Sequence, residues 1–447
     1  MPLRGLILIC IFVLSLPVCF VRPFYGIILW TVVAFLNPQA YVWSAGTTFP
    51  WALAVAIPVL IGFPIFTNGL KNLSSPSAIL IGALWLWFTL TSIISTSTPL
   101  FMHHAVDTWY RWGFVSKILL MTVVTIAVVE SFAQLRILVV VIAGAFGIFV
   151  AKAAPFLVLT GGAYRLFGPA NSMLADNNDF GLALNMTLPI FFYLAQTEEH
   201  RWVRWIFGVL CLITIPAILF TYSRGALVGL IAVSSLMFLQ SRQRMVLVPV
   251  IVLGILVALL FAPPSWRERM DPTRSDAIDA SARERLNAWA FARNLAADYP
   301  IAGGGFATFT PELFARYAPV AMDYHGSHSV YFGLLAEHGY VGLALYLILV
   351  ASCFVGAHRL VKEARCYNDW VVVNYTNMFR FSLVGFLASG MFLGRAYFDY
   401  FFTIVACLAI LTRVARAHWA SFGLMAPDAV EEASGEEVFL LDKGTSL

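Results

Sequence analysis

The sequence predicts an all-α polytopic membrane protein with about twelve transmembrane helices, on three observations. Hydrophobic residues make up 60% of the chain, charged residues make up only 12%, and the mean hydropathy is +0.82. A soluble globular domain has roughly twice this share of charged residues, so a water-soluble fold is excluded. The apolar residues gather into segments long enough to cross a bilayer, and short basic connections separate many of these segments.

Hydropathy along the chain indicates thirteen apolar segments. They lie near 5–21, 24–37, 50–66, 77–97, 114–130, 136–158, 180–196, 203–221, 225–239, 245–262, 340–357, 379–394 and 399–413. The first two are short, and the alternation of sides places Met1 outside although Arg4 favours the cytoplasm. We therefore expect about twelve spans and leave the N-terminal topology open.

The short basic connections set the expected orientation, because cytoplasmic loops carry an excess of Lys and Arg. They are Lys71, Arg136, the Arg201 and Arg204 pair, Arg242 with Arg244, the stretch from His358 to Arg365, and Arg413 with Arg416. The other connections are then expected to face the outer side: 38–49, 98–113, 159–179, 222–225, 263–339 and 395–398.

This pattern gives four predicted regions. Residues 1–262 contain the first ten apolar segments, and residues 263–339 form one large outer loop. Residues 340–414 contain the C-terminal spans, and residues 415–447, which are rich in glutamate, form a disordered cytoplasmic tail.

Charge and cysteine content exclude other classes of protein. The net charge of +4 is too small and too scattered to indicate nucleic-acid binding. Five of the six cysteines lie in or at apolar segments, so neither a disulfide framework nor a metal site is expected.

The large loop contains two local patterns. One predicts a helix lying on the bilayer surface, with Arg285 and Arg293 beside an apolar stripe formed by Leu286, Trp289, Ala292 and Ala296. The other is the run Gly303-Gly304-Gly305. Its backbone amides either form an anion-binding nest or simply make a turn.

One arginine lies near the centre of a long apolar run, residues 203–239. This run is long enough to cross a bilayer twice, which predicts a hairpin that turns at Arg224, beside Tyr222. A guanidinium deep in the bilayer costs roughly 2.5–3.5 kcal/mol on insertion scales, so such side chains usually face a polar cavity and bind an anion. The alternative is an arginine that snorkels to the membrane boundary.

Three of the eight histidines fall within fourteen residues at the end of the large loop: His325, His328 and His338. Histidine titrates near neutrality, so these side chains suit proton transfer or charge stabilisation at a hydroxyl. His328 and His338 would lie about 15 Å apart along a continuous helix, so a shared metal ion is not expected. The alternative is helix capping by Ser327 and Ser329, which would also explain His325.

Two further arginines lie beside aromatic residues in the outer connections. Arg165 follows Gly161-Gly162-Ala163-Tyr164 and precedes the polar cluster 176–179. This arrangement suits a bound diphosphate or sugar, and equally an interfacial loop with a helix cap. Arg111 lies in an aromatic belt between Tyr110 and Trp112, so it is an interfacial residue first and a ligand candidate second.

The motif at the end of the loop resembles one of the O-antigen ligase and polymerase superfamily of bacterial inner-membrane glycosyltransferases. The family pattern is His, then Asn, Ser or Gln, nine residues, Gly, two residues and Gly. His328-Ser329, Gly339 and Gly342 fit this pattern without a gap. The likeness extends to Tyr222-Ser223-Arg224-Gly225 and to Arg285 with Trp289 ahead of Pro300. Further matches over most of residues 1–345 are similar to a branch described as O-glycosylation ligases.

The resemblance implies that a glycan on undecaprenyl diphosphate is passed to an acceptor hydroxyl at the periplasmic face, without a metal, cofactor or nucleotide sugar. It implies that His328 acts at the acceptor and that Arg224 and Arg285 hold the diphosphate. His338 replaces a position that the pattern leaves free and is a second catalytic candidate. The further candidates for substrate binding are Arg165, Arg111 and Tyr222. The expected partners are the lipid-linked donor, a lipid A-core acceptor and membrane lipids, with no nucleic acid.

Several alternatives remain at this point. The acceptor is a lipid A-core sugar in ligases, the growing glycan in polymerases, and a protein Ser or Thr in the O-glycosylation branch. A single displacement with inversion is expected, because the sequence shows no evident carboxylate pair for a double displacement. A lipid or solute transporter is the alternative from another class, and it predicts charges spread along several spans rather than gathered at outer ends.

Overall fold

The computed structural model describes residues 3–38, 49–170, 172–240 and 275–421, with isolated residues between 249 and 266. Its regular secondary structure is entirely helical in these residues, which confirms the all-α prediction. Eight described helices are long and apolar enough to cross a membrane, and four shorter apolar helices accompany them. The count of about twelve spans stays a prediction. Most of the predicted segment 245–262, and the chain beyond residue 421, lie outside the described residues.

The helix bounds follow the apolar segments closely. The described helices, numbered in chain order, are α1 (Leu3–Val21), α2 (Pro23–Thr31), α3 (Trp51–Phe66), α4 (Pro76–Ser97), α5 (Ala105–Val128), α6 (Phe132–Thr160), α7 (Asn177–Thr197), α8 (Arg201–Leu219), α9 (Arg224–Gln240), α10 (Ser275–Asp298), α11 (Pro311–Tyr317), α12 (Val330–Cys366), α13 (Trp370–Gly390) and α14 (Asp399–Ser421). A π-helical turn, Val32–Leu36, extends α2. The last helix continues past residue 414, where the sequence predicted the tail to begin.

Local sequence explains where several helices begin and end. The Ser75 hydroxyl accepts a hydrogen bond from the Ala78 amide, and Pro76 occupies the first turn of α4. The Asp176 carboxylate caps α7 in the same way, by accepting from the Asn178 amide. At the C-terminal end of α6, Gly161 has a φ of 56°, a left-handed conformation that glycine adopts without strain.

Helix α7 forms the centre of the bundle and packs against α8, α9 and α13. The Asn185 amide ties three of these helices together, since it donates to the Ala226 carbonyl at 2.7 Å and to the Ser389 hydroxyl at 3.0 Å. Such a buried amide is stabilising only because it finds partners. These hydrogen bonds fix α9 and α13 in position against α7.

One end of the bundle, here called the basic end, collects the short basic connections. Arg136 pairs there with Glu198 at 2.7 Å, and Arg416 pairs with Glu363 at 2.6 Å. The Asn72 amide also reaches the Ala127 carbonyl at the end of α5. The connections that the sequence assigned to one side of the membrane therefore lie together within the described residues, and Arg242 with Arg244 lies outside them.

The opposite end, here called the site end, collects the connections 98–113, 159–179, 220–223 and 391–398 with the loop 299–329. The Thr108 hydroxyl donates to the Phe306 carbonyl at 2.9 Å, which ties the large loop to α5. The Asn177 amide donates to the Thr221 carbonyl at 2.7 Å, which joins the start of α7 to the hairpin turn. The predicted outer connections within the described chain thus share one end.

The predicted helix in the large loop is present as α10, but its buried face differs from the predicted stripe. Ala292 and Ala296 are buried as expected, whereas Leu286 is 60% exposed. Phe291 belongs to the buried face instead, and its ring stacks on Phe314 of α11 with centroids 4.4 Å apart. Helix α10 therefore packs against α11 of the same loop, while Leu286 on α10 stays exposed.

Candidate functional site

The two motif glycines divide and seat helix α12. Gly339 has φ 66° and ψ −171°, so the helix axis breaks there into a short first part, 330–338, and a long second part, 340–366. A Cβ at Gly339 would lie 2.3 Å from the Ile301 carbonyl oxygen, and one at Gly342 would lie 2.4 Å from Cβ of His338. Both positions need glycine because the backbone or a neighbouring side chain fills the space.

The glycine run 303–305 closes the end of the short helical part. The Gly304 and Gly305 amides each donate at 2.8 Å to helix-end carbonyls, those of Ala336 and Glu337. These carbonyls lack partners inside the helix, so the run acts as a cap. The anion-binding nest considered from the sequence is therefore wrong for these two amides, because helix carbonyls already occupy them.

His328 lies just before the short helical part, at the site end. Its backbone has φ 43°, and its side chain is exposed on the wall of a cavity. The Ser327 carbonyl beside it accepts a 3.0 Å hydrogen bond from the Trp289 indole of α10, and that indole stacks on Phe332. Trp289 thus fixes the turn that presents His328. Ser329 occupies the position before α12, but its side chain makes no capping hydrogen bond.

Arg285 lies within electrostatic range of both Arg224 and His328. Arg224 is the first residue of α9, as the predicted hairpin requires, and the Ser223 hydroxyl caps that helix by accepting from the Ala226 amide. Burial lowers the pKa of Arg285, and the nearby Arg224 charge lowers it further. The Arg285 guanidinium lies 5.9 Å from the ring centre of Phe392. The guanidinium groups of Arg224 and Arg285 are close enough to act on each other, so together they create a region that favours an anion.

The same surroundings favour the neutral form of His328. Neighbouring protein atoms partly desolvate the imidazole, although the residue stays open to the cavity, and this desolvation lowers its pKa below the ordinary value. The charge of Arg285 lowers the pKa further. A neutral imidazole near pH 7 can accept a proton.

His328 opens on a cavity of about 700 Å³ at the site end. Its wall contains Arg111 and Glu337, whose nearest charged atoms are 3.5 Å apart. The buried Glu337 carboxylate also accepts a 2.6 Å hydrogen bond from the Tyr397 hydroxyl. Another wall residue, Arg395, binds Asp179 through two hydrogen bonds, one of 2.7 Å from Nε, and this bonding raises the pKa of Arg395.

Of the sequence-predicted site residues, only His328 and Arg111 line this cavity, and three lie apart from the electrostatic contacts of Arg224, Arg285 and His328. The Tyr222 hydroxyl is buried and donates to the Gly162 carbonyl at 2.8 Å, so it joins the hairpin turn to the 159–179 loop. Arg165 lines a separate cavity of about 360 Å³ beside Lys152. His338 is fully buried, with Nδ1 2.7 Å from the Thr91 hydroxyl and its ring stacked on Phe88. The structure therefore places His328 and Arg111 on one cavity wall, links His328 electrostatically to Arg285 and Arg285 to Arg224, and leaves the other three apart.

Sequence reasoning missed several wall residues. Glu337 lies in the variable part of the motif, and its signal was an ionisable residue in a membrane-spanning helix, which is often functional. Asp179 belonged to the noted 176–179 cluster, but its partner Arg395 lies 216 positions away. The cavity wall also contains the acidic residues Asp107, Asp176, Asp179 and Glu337, which the sequence did not place together.

One cluster in the described residues could hold a metal ion. Glu284, Asp323 and His325 place one ligand atom each within 4.8 Å of one another. His325 Nε2 lies 2.9 Å from an Asp323 carboxylate oxygen, which is also the geometry of an ion pair. This cluster lies outside the cavity wall.

Comparison with known proteins identifies the part of the chain that carries this arrangement. Residues 207–347 match a family model described as O-Antigen ligase, and residues 3–199 match a family of unknown function. No curated protein matches the chain. The first matched range contains Arg224, Arg285, His328 and both motif glycines. Over residues 207–347, the chain is therefore similar to proteins of the O-antigen ligase superfamily.

Proposed function

We propose that the protein transfers a glycan from undecaprenyl diphosphate to a hydroxyl of lipid A-core oligosaccharide, at the periplasmic face of the inner membrane. The family supports a membrane glycosyltransferase of the ligase and polymerase type. The observation that carries the proposal is that Arg285 interacts electrostatically with both Arg224 and His328, and that His328 opens on a cavity of about 700 Å³ at the site end.

The proposed chemistry assigns one task to each side chain. The acceptor oxygen forms a bond to the anomeric carbon, and the bond from that carbon to the diphosphate oxygen breaks. Arg224 and Arg285 stabilise the negative charge that develops on the departing diphosphate, through charge-assisted hydrogen bonds in a partly desolvated site. Neutral His328 takes the proton of the acceptor hydroxyl. A single displacement of this kind inverts the anomeric centre.

The proposed orientation rests on the distribution of charge between the two ends. Lys and Arg connections lie at the basic end, which the positive-inside rule assigns to the cytoplasm. The site end then faces the periplasm. The lipid carrier would present its diphosphate at the membrane surface, where Arg224 begins a helix whose positive dipole end adds to the attraction.

Reconstitution tests the proposal directly. Proteoliposomes containing the purified protein would receive an undecaprenyl diphosphate-linked glycan and rough lipopolysaccharide, and the products would be resolved on a gel. We expect glycan on the lipopolysaccharide. We also expect His328→Ala to slow transfer by about 100-fold or more, as for loss of a general base, while membrane insertion is unchanged.

The same assay separates the neighbouring activities. Elongation of the lipid-linked glycan without an acceptor would identify a polymerase. Glycan on an added periplasmic protein, with lipopolysaccharide unchanged, would identify a protein O-glycosyltransferase. Full activity in both His328→Ala and Arg224→Ala would remove the basis for the proposed site.

A further inference from the structure

The cavity beside His328 has a marked excess of acidic groups. Its wall contains two guanidinium groups, from Arg111 and Arg395, and four carboxylates, from Asp107, Asp176, Asp179 and Glu337. We infer that this carboxylate wall binds the hydroxyls of an uncharged acceptor sugar and discriminates against sugars that carry an anionic group. The inference rests on the proposed function and names the class of its acceptor.

The Glu337 carboxylate is held in place by its neighbours and can accept a hydrogen bond from a ligand hydroxyl. Its side chain is only 5% exposed, the Tyr397 hydroxyl binds one carboxylate oxygen at 2.6 Å, and Arg111 lies 3.5 Å from the other. A backbone hydrogen bond from Ala307 is a third contact, and a carboxylate offers about four acceptor positions, so room is left for one ligand hydroxyl. Arg111 supplies donors on the same wall and is itself largely exposed. Adjacent donors and acceptors are what a sugar hydroxyl requires.

Asp179 and Arg395 repeat this arrangement on another part of the wall. Asp179 is 8% exposed and Arg395 is 35% exposed, so the guanidinium is the member of the pair that reaches the cavity more freely. Because the pair neutralises itself, it adds hydrogen-bonding capacity without attracting a charged ligand.

A second kind of observation indicates a ligand at this wall. Ser329, which lines the cavity, is 1% exposed, and its hydroxyl has no hydrogen-bond partner within the described residues. Buried hydroxyls are rarely left without a partner, so such a group indicates a missing contact. Asn178, Thr310 and Tyr324 add further neutral polar side chains to the wall. This mixture matches a polyhydroxylated ligand.

The charges around His328 favour the anionic donor on one side and an uncharged acceptor on the other. Arg285 and Arg224 are not among the wall residues of the cavity, although Arg285 acts electrostatically on His328. An anionic diphosphate is attracted to these arginines and repelled by the exposed Asp107 and Asp176 carboxylates. An acceptor carrying its own carboxylate would meet the same repulsion, whereas a neutral hexose would not.

The test compares two acceptors that differ in one group. Synthetic core-oligosaccharide glycolipids ending in glucose or in glucuronate would be offered to the reconstituted wild-type protein with the undecaprenyl diphosphate-linked donor. We expect kcat/KM for the glucose acceptor to exceed that for the glucuronate acceptor by about tenfold or more, because like charges juxtaposed in a site are strongly unfavourable. Asp107→Asn should narrow this ratio severalfold by raising kcat/KM for glucuronate.

Two further variants complete the design. Asp176→Asn removes the other exposed carboxylate but keeps a side-chain oxygen able to cap α7, so it should fold and also narrow the ratio. Glu199→Gln removes the same charge at the basic end and should leave the ratio unchanged. Equal use of both acceptors by the wild-type protein would overturn the inference, as would an unchanged ratio in both aspartate variants. Failure of every acceptor, rough lipopolysaccharide included, would instead overturn the proposed function, and the inference would fall with it.

Discussion

Replacing Gly339 by alanine should unfold the joint between the large loop and helix α12. The glycine has φ 66° and ψ −171°, a conformation that is almost exclusive to glycine and costs other residues about 1–3 kcal/mol. The added Cβ would also lie 2.3 Å from the Ile301 oxygen and 2.6 Å from the Pro300 oxygen. Pro300 cannot retreat freely, because its carbonyl accepts the Tyr340 amide at 2.8 Å. Backbone strain and overlap together predict a loss of about 3–5 kcal/mol.

A matched control lies in the same helix. Gly356 is surrounded by open space, so Gly356→Ala should meet nothing and should stabilise the helix by roughly 0.5–1 kcal/mol. Thermal unfolding of both purified variants in detergent, followed by tryptophan fluorescence, would give the difference, and the transfer assay would report on the site. If Gly339→Ala unfolded at the temperature of Gly356→Ala and transferred glycan normally, the proposed need for glycine would be refuted.

Three other predictions concern the site itself. Arg224→Lys should lose at least about tenfold in transfer although it keeps the charge, because a point ammonium cannot bind an oxyanion through two parallel hydrogen bonds; transfer equal to wild type would contradict this role. The lowered pKa of His328 predicts that activity falls only below pH 6.5, as the base becomes protonated. Arg285→Gln should move this acid limb of the pH–rate profile to higher pH, because a nearby cation is removed. An acid limb that did not move would count against the electrostatic effect of Arg285 on His328. Trp289→Phe should keep the ring stack on Phe332 but lose the hydrogen bond to Ser327, lowering stability by about 0.5–1.5 kcal/mol and transfer severalfold; unchanged melting and transfer would show that the indole does not fix the turn.

The sequence was informative wherever local properties decide structure. Apolar segments gave the helices of the described chain, because a bilayer demands about 20 apolar residues with every backbone group bonded internally. The hairpin turn at Arg224 followed from the length of a single apolar run. His328 was found because its spacing to Gly339 and Gly342 is a short-range pattern.

Contacts between distant parts of the chain could not be read in this way. Arg111 and Glu337 are 226 positions apart, and neither position carries a signal that names the other. The glycine run was misjudged for the same reason, since only the folded chain shows that the Gly304 and Gly305 amides serve the end of α12. The buried face of α10 was partly misjudged because its partner helix, α11, follows in the same loop.

The nine-residue spacing of the motif has a physical meaning in this structure. The residues between Ser329 and Gly339 are one short helix, 330–338, which rises about 13 Å at 1.5 Å per residue. Gly304 and Gly305 hold one end of this helix, while the other end carries His328. One residue more or fewer would turn the imidazole by about 100° around the helix axis relative to the glycine cap, and so away from its present wall of the cavity. The motif therefore specifies a distance and an angle between a structural joint and a proposed base. This is why its two glycines and its histidine are informative together, although a single histidine beside a membrane helix would not be.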